Sequence, residues 1–305
     1  MKIRIGVGTG VGQTLEQPSQ FGEVVDLVES LGFDSLWVSD RVVGESLDPT
    51  VSLAIAAGRT SRIKLGANVW VLPGRDPYLM AKQLASLSLL SDGRLLPAFG
   101  LGSPHPADRE PFGVAKGRRV AMFEEGLSVV RALWAGESIP HPHGGSALRL
   151  KPRPAEPLDI WFGARSEAAL ARTGRLADGW IGSFQTPRRA RHCREVVLRG
   201  AEDAGRTFDL EHFGMTIMYA RHQRTELGRF ILSVLGGDDR SDSTDGGGDG
   251  YEAACYPCGA DELVAVLNQH IDAGISKFVL SPADAPEDWG DELRWLREVT
   301  GPLET

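Results

Sequence analysis

The sequence has few cysteines, few lysines and no long hydrophobic run. Its 305 residues contain three cysteines, Cys193, Cys255 and Cys258. Three cysteines cannot form a disulfide framework, and this low count is typical of a reducing compartment. No apolar run approaches the roughly 18 residues that cross a bilayer. We therefore expect a cytoplasmic protein that makes no contact with a membrane.

Basic residues do not outnumber acidic ones. The chain has 33 Lys and Arg against 41 Asp and Glu, a net charge of −8. Nucleic-acid-binding domains usually carry a basic face and a high pI, so the sequence disfavours a nucleic-acid partner. Only six of the basic residues are Lys, and the other 27 are Arg. Their planar guanidinium groups suit phosphate or carboxylate partners.

Two common catalytic motifs are absent. The chain has no G-x-S-x-G elbow, which disfavours a hydrolase of that type. Glycine occupies every second position from 6 to 12. This spacing does not match G-x-G-x-x-G, so the dinucleotide-binding fingerprint is not met.

The sequence predicts no metal site. Cys255 and Cys258 form a single C-x-x-C without a second pair. His141 and His143 lie in a Gly- and Pro-rich stretch and lack a third ligand at fixed spacing.

Short β-branched runs alternate with stretches of helical periodicity. Strands joined by helices and apolar on both faces are typical of parallel sheets. The predicted strands cover 3–8, 35–39, 63–72, 95–101, 158–163, 179–182, 213–220 and 277–281. The sequence therefore predicts an α/β fold, a single (β/α)8 TIM barrel over residues 1–305 with loop insertions.

Two segments interrupt the alternation of strands and helices. Residues 140–157 are rich in Pro, Gly and His, and we expect them to form an excursion in a βα loop. Residues 236–250 are acidic and Gly-rich, which predicts a mobile surface insertion or an active-site lid.

Candidate site residues are expected at the carboxyl ends of the barrel strands. Gly163 and Ala164 let a ligand approach the backbone, and a helix begins after Ser166, so free N–H groups point at this place. Arg165 adds a guanidinium group that can donate two hydrogen bonds to phosphate oxygens. The alternative is an ordinary turn with a solvent-facing arginine.

Polar residues follow two other predicted strands. Asp40 and Arg41 come at the end of the second strand, where they form either a structural ion pair or a ligand contact. Gly102 ends the fourth strand, and His105 and Glu110 follow it. His105 is either a solvated loop side chain or a proton donor. Gly182 and Ser183 end the sixth strand and complete the candidate site.

Several motifs together carry a resemblance to a known family. They are LGFDSLWVSD at 31–40, RIKLGANV at 62–69, LSDGR at 90–94, FGLG at 99–102, IWFG at 160–163 and RLADGW at 175–180. In this order and spacing the chain resembles the bacterial luciferase-like flavin monooxygenases, a superfamily that includes enzymes dependent on the deazaflavin F420. The resemblance covers nearly the whole chain except the acidic insertion.

The resemblance implies a TIM barrel with a flavin or F420 at its mouth. It implies a cis peptide bond between Asn68 and Val69, behind the cofactor ring, and places Asp40 near that ring. It also implies that 163–166 hold the cofactor phosphate.

The chain departs from the F420-dependent dehydrogenases of this superfamily at two positions. Those enzymes usually have a His where this chain has Arg41 and a Glu where it has Ser103. Arg41 stays protonated and cannot act as a general base, but it can hold a carboxylate substrate or an anionic reduced cofactor. His105 or Glu110 then remains as the proton donor.

These implications lead to an oxidoreductase that uses reduced F420 for hydride transfer to a small organic substrate. The excess of Arg over Lys is typical of GC-rich actinobacterial genomes, and this association favours F420 over FMN. One alternative is an FMN-dependent monooxygenase that uses O2 and a separate flavin reductase. Another is a catalytically silent barrel that binds flavin or F420. Relatives are often dimers, so a homodimer is expected.

Overall fold

A computed structural model describes residues 1–9, 19–44, 46–103, 105–140, 144–236 and 248–305. Its strands are β1 (Arg4–Thr9), β2 (Ser35–Val38), β3 (Lys64–Ala67), β4 (Trp70–Val71), β5 (Leu95–Leu96), β6 (Ala98–Gly100), β7 (Ser138–Ile139), β8 (Leu148–Arg149), β9 (Trp161–Gly163), β10 (Gly179–Ser183), β11 (Phe213–Tyr219) and β12 (Lys277–Pro282). All except β7 and β8 pair in parallel, in the order β4-β6-β9-β10-β11-β12-β1-β2-β3-β5.

The two strands at one end of this order, β4 and β6, are continuations of the two strands at the other end, β3 and β5. β4 continues β3 after two residues, and β6 continues β5 after one. β3 pairs with β5, and β4 pairs with β6. The sheet therefore closes into a barrel of eight strands, which confirms the predicted TIM-barrel fold.

Helices cover the outside of the barrel. They are α1 (Gln20–Ser30), α2 (Pro49–Arg59), α3 (Pro77–Leu90), α4 (Pro106–Arg109), α5 (Arg119–Trp134), α6 (Glu167–Leu176), α7 (Pro187–Asp203), α8 (Glu226–Leu235), α9 (Gly248–Cys255), α10 (Gly259–Asp272) and α11 (Trp289–Thr300). In α1, Phe21, Val24 and Val28 are buried at helical spacing. In α3, Asp76 caps the first turn by accepting from the N–H groups of Tyr78 and Leu79.

Large aromatic side chains fill the barrel interior. Trp37 from β2 and Trp161 from β9 belong to one buried cluster with Ile181 of β10 and Val279 of β12. These strands are not all neighbours, so their side chains meet across the barrel. Space for the rings depends on glycine, because a Cβ on Gly66 would lie 2.5 Å from the Trp37 ring.

The structure corrects one prediction about the insertions. Residues 140–157 do not form a βα loop, because the segment lies between α5 and β9 and is therefore an αβ connection. The connection between α5 and β9 contains the short antiparallel pair of β7 and β8, of which β7 precedes residue 140 and β8 lies within 140–157. His141 and His143 lie outside the described residues, and so does most of the acidic segment 236–250. Among the described helices, none has the length and apolar character needed to cross a membrane.

Candidate functional site

A cavity of about 460 Å³ opens at the carboxyl ends of the barrel strands. Parallel barrels place their ligand sites at this end because the βα loops converge there. Ten of the residues predicted for the site line the cavity: Asp40, Arg41, Asn68, Val69, Gly102, Gly163, Ala164, Arg165, Ser166 and Ser183.

One wall of the cavity is formed by Val69 seated against two glycines. The Asn68–Val69 peptide bond is cis, as the resemblance implies. A Cβ on Gly100 would lie 2.4 Å from one Val69 methyl, and a Cβ on Gly163 would lie 2.9 Å from the other. Strands β6 and β9 therefore carry no side chain at these two positions, and the Val69 side chain fits between them. The Asn68 side-chain amide donates to the hydroxyl of Thr216 on β11.

Asp40 is held in place by two donors, one from β4 and one from the loop that follows it. Its carboxylate accepts from the backbone N–H of Val71 at 2.9 Å and from Nη2 of Arg75 at 2.6 Å. Its side chain is only 3% exposed. Burial raises the pKa of Asp40 above its ordinary value, although the charge of Arg75 acts in the opposite direction. The Arg75 guanidinium in turn stacks 5.5 Å from the ring centre of Phe112.

Arg41 has a different acidic partner. Its Nε lies 3.2 Å from Oδ1 of Asp108, which is buried in the short helix α4. Asp40 and Arg41 therefore do not pair with each other, and each is tied to a residue far away in sequence.

The opposite end of the cavity is formed by the N-terminus of α6. Ser166 caps this helix by accepting from the N–H of Ala169 at 3.4 Å. Ala169 and Arg172 also line the cavity. Arg172 is bonded through Nε to Glu124 at 2.8 Å. The guanidinium of Arg165 donates to the backbone carbonyls of Leu235 and Gly236 at the end of α8. This end combines a helix N-terminus with two guanidinium groups, an arrangement suited to an anion.

Three predicted site residues do not line the cavity. Gly182 faces packed side chains, because a Cβ there would lie 2.6 Å from the Trp180 ring. His105 and Glu110 are exposed to solvent. A role in proton transfer for His105 or Glu110 stays a prediction.

Sequence reasoning did not assign Arg75, Asp108, Thr216 or Arg172 to the site. Arg75 and Asp108 reach it through ion pairs that span 35 and 67 residues of the chain. No local pattern marks such contacts. Only Arg172 had a usable signal, because it lies on the helix that Ser166 begins.

The cavity fits a flat ring with an anionic side chain. Its glycine-bounded wall would contact a ring face, and the α6 end would hold a phosphate. These residues therefore suit a flavin or deazaflavin.

Proteins of known activity resemble this chain over part of its length. It is 32% identical over 213 residues to a phthiodiolone/phenolphthiodiolone dimycocerosates ketoreductase of Mycobacterium kansasii, a match covering 57% of this chain and 56% of that protein. It is 30% identical over 207 residues to an F420-dependent glucose-6-phosphate dehydrogenase of Nakamurella multipartita, covering 63% and 60%. The matches thus span little more than half the length of these relatives.

Solved structures share the fold over the whole chain. An F420-dependent secondary alcohol dehydrogenase in complex with an F420-acetone adduct has a TM-score of 0.82 at 19% identity, with both chains fully covered. A monooxygenase from Streptomyces bottropensis has a TM-score of 0.78 at 21% identity, with 99% of each chain covered. The family model described as luciferase-like monooxygenase matches residues 1–252. The chain therefore belongs to the luciferase-like monooxygenase family, whose relatives named here are oxidoreductases and monooxygenases.

Proposed function

We propose that this protein uses reduced F420 to transfer a hydride to an unsaturated bond of a small organic substrate. The observation that carries the proposal is the cavity itself, which is lined by the Val69 side chain packed on Gly100 and Gly163 and by the N-terminus of α6 with Arg165 and Arg172. The F420-dependent dehydrogenase among the relatives favours F420 over FMN. When bound in its reduced form, F420 supplies the hydride.

The protein would bind the cofactor at both ends of the cavity. The N–H groups of the first α6 turn and the Ser166 hydroxyl would hold the phosphate. The Val69 side chain would support one face of the ring and keep water from it. Asp40 is fixed by Val71 and Arg75, so its remaining lone pairs would accept a ring N–H without rearrangement.

A fluorescence titration with oxidised F420 and, in parallel, with FMN tests the cofactor. Saturable binding of F420 alone supports the proposal, and a search for hydride acceptors would follow. Binding of FMN alone would replace it with an O2-using monooxygenase. Tight F420 binding without hydride exchange to any acceptor would indicate a silent binding barrel.

Paired substitutions in α6 test the phosphate end. Ala169→Asp places a carboxylate at the cavity, and we expect it to weaken cofactor binding by about tenfold or more, because it repels the phosphate. The control is Ala168→Asp, one residue earlier and exposed. Both variants add an acidic residue to the first turn, where it favours the helix. Equal affinities of the two variants would remove α6 from the site.

A further inference from the structure

Three arginines surround the loop that follows β6, and we name Arg41, Arg109 and Arg119 the arginine corner. Arg41 and Arg109 line the cavity beside Ser103. Arg119 stands behind this wall, since its Nη1 lies 3.3 Å from where a Cβ on Gly102 would be. Its Nη2 donates to the backbone carbonyl of Arg109 at 3.3 Å, so the two arginines are adjacent.

The positive charge of the corner is only partly balanced. Asp108 pairs with Arg41. Within the described ranges, neither Arg109 nor Arg119 forms an ion pair with a carboxylate. Burial first, and then the like charge of Arg109, lower the pKa of Arg119. The neighbouring Glu110 is exposed and does not neutralise either group. Among the described residues, the three guanidinium groups therefore have one carboxylate partner, Asp108.

The corner also has unused hydrogen-bond donors. Arg109 donates through Nε to the carbonyl of Ser103 at 2.9 Å, and Arg41 uses Nε for Asp108. In the part of the chain that the structure describes, the Nη groups of both side chains have no protein partner. Paired Nη groups recognise the two oxygens of a carboxylate or phosphate.

The corner and the α6 end of the cavity are built by different elements. Arg41 follows β2, Arg109 ends α4 and Arg119 begins α5, whereas the cofactor phosphate end is built by the β9–α6 turn and α6. The corner also lies beside Asp40, which leaves a ligand group there close to the ring site. A second anion-binding place would take a group other than the cofactor phosphate.

We propose that the arginine corner binds a carboxylate or phosphate group of the substrate, so that the substrate of this protein is an organic anion. This inference rests on the proposed function for the identity of the reaction. The anion site itself does not depend on the cofactor, so the two can fail separately.

Chemical labelling of arginines with phenylglyoxal, mapped by mass spectrometry, tests the corner on the full-length protein. The probe is inorganic phosphate, and further samples contain F420 or FMN in its place. We expect saturating phosphate to slow the labelling of Arg109 by about tenfold. Arg118 is the internal control, because it is adjacent to Arg119, exposed, and paired with Glu125 at 3.8 Å.

Each alternative outcome has a distinct pattern. Protection confined to Arg165 and Arg172 would place the anion at α6 and overturn the proposal, as would no protection at all. Protection of Arg109 by the cofactor alone would assign the corner to a cofactor group and also overturn it. Protection of Arg109 by phosphate in a protein that binds neither cofactor would remove the proposed function and keep the anion site.

A substitution adds a second readout. Arg109→Gln should raise the phosphate Kd by about tenfold, because it removes a charged donor from the exposed end of α4. It should leave the cofactor Kd unchanged. Arg118→Gln is the matched control and should alter neither. A phosphate Kd that is the same in both variants would contradict the proposal.

Discussion

Replacing Gly100 with alanine should disturb the wall of the cavity, although it adds a single methyl group. In Gly100→Ala the new Cβ would lie 2.4 Å from Cγ2 of Val69. Carbon atoms in contact prefer about 3.5–4.0 Å, so the overlap is about 1 Å. Val69 cannot turn away easily, because its side chain is stiff at χ1 and its other methyl group faces Gly163.

We expect this overpacking to lower the free energy of unfolding by about 1–3 kcal/mol. Because Val69 lines the cavity, cofactor affinity should fall as well. Urea unfolding measures the first effect and fluorescence titration the second. The control is Gly58→Ala in α2, where a Cβ meets nothing within 4 Å. That change should stabilise the protein by up to about 1 kcal/mol, since Ala favours helix.

The double variant Gly100→Ala/Val69→Ala separates the clash from other effects of the new methyl group. Removing the Val69 methyls opens the space that the new Cβ needs. The second substitution should then cost less stability in the Gly100→Ala background than in the wild type. The reasoning is refuted if Gly100→Ala unfolds at the same urea concentration as the wild type, or if the two substitutions are simply additive.

Two further predictions concern buried charges. Burial raises the pKa of Asp40, so the native state keeps its proton to a higher pH than the unfolded state, whose pKa is about 3.9. That contribution to stability is present below the unfolded pKa and lost as the pH rises through the native one. The wild type should therefore lose stability relative to Asp40→Asn as the pH rises, and parallel urea-unfolding profiles would contradict this. Lys277→Met breaks the buried pair with Asp34 and should cost about 3–5 kcal/mol. The additional change Asp34→Leu should recover part of that loss, and a stable single variant would show that the pair contributes nothing.

The barrel could be predicted from the sequence because its signals are local. All eight predicted strands are present, and the alternation with helices excluded most other sheet topologies. The two divided strands were each predicted as one run, since an apolar stretch does not reveal where its pairing is interrupted. Residues 140–157 were predicted as a βα loop and therefore at the wrong end of the barrel, because composition does not report whether a loop follows a strand or a helix.

The candidate site was only partly predictable. Asp40, Asn68, Val69 and 163–166 follow strands and belong to recognisable motifs, so their position at the cavity could be expected. His105 and Glu110 were also predicted as site residues because they follow a strand, yet they are exposed to solvent. A loop residue next to a site in sequence can still face away from it.

The family, the barrel and the strand ends that build the cavity could be inferred from the amino-acid sequence, because each depends on periodicity or on short motifs within one segment. Which charged side chains meet became visible in the folded chain. Asp40 pairs with Arg75 rather than with the adjacent Arg41, and Arg109 is left next to Arg119 without an acidic partner in the described part of the chain. These ion pairs join side chains that lie tens of residues apart in the chain. Their proximity results from the folding of the barrel and cannot be read from the order of the residues.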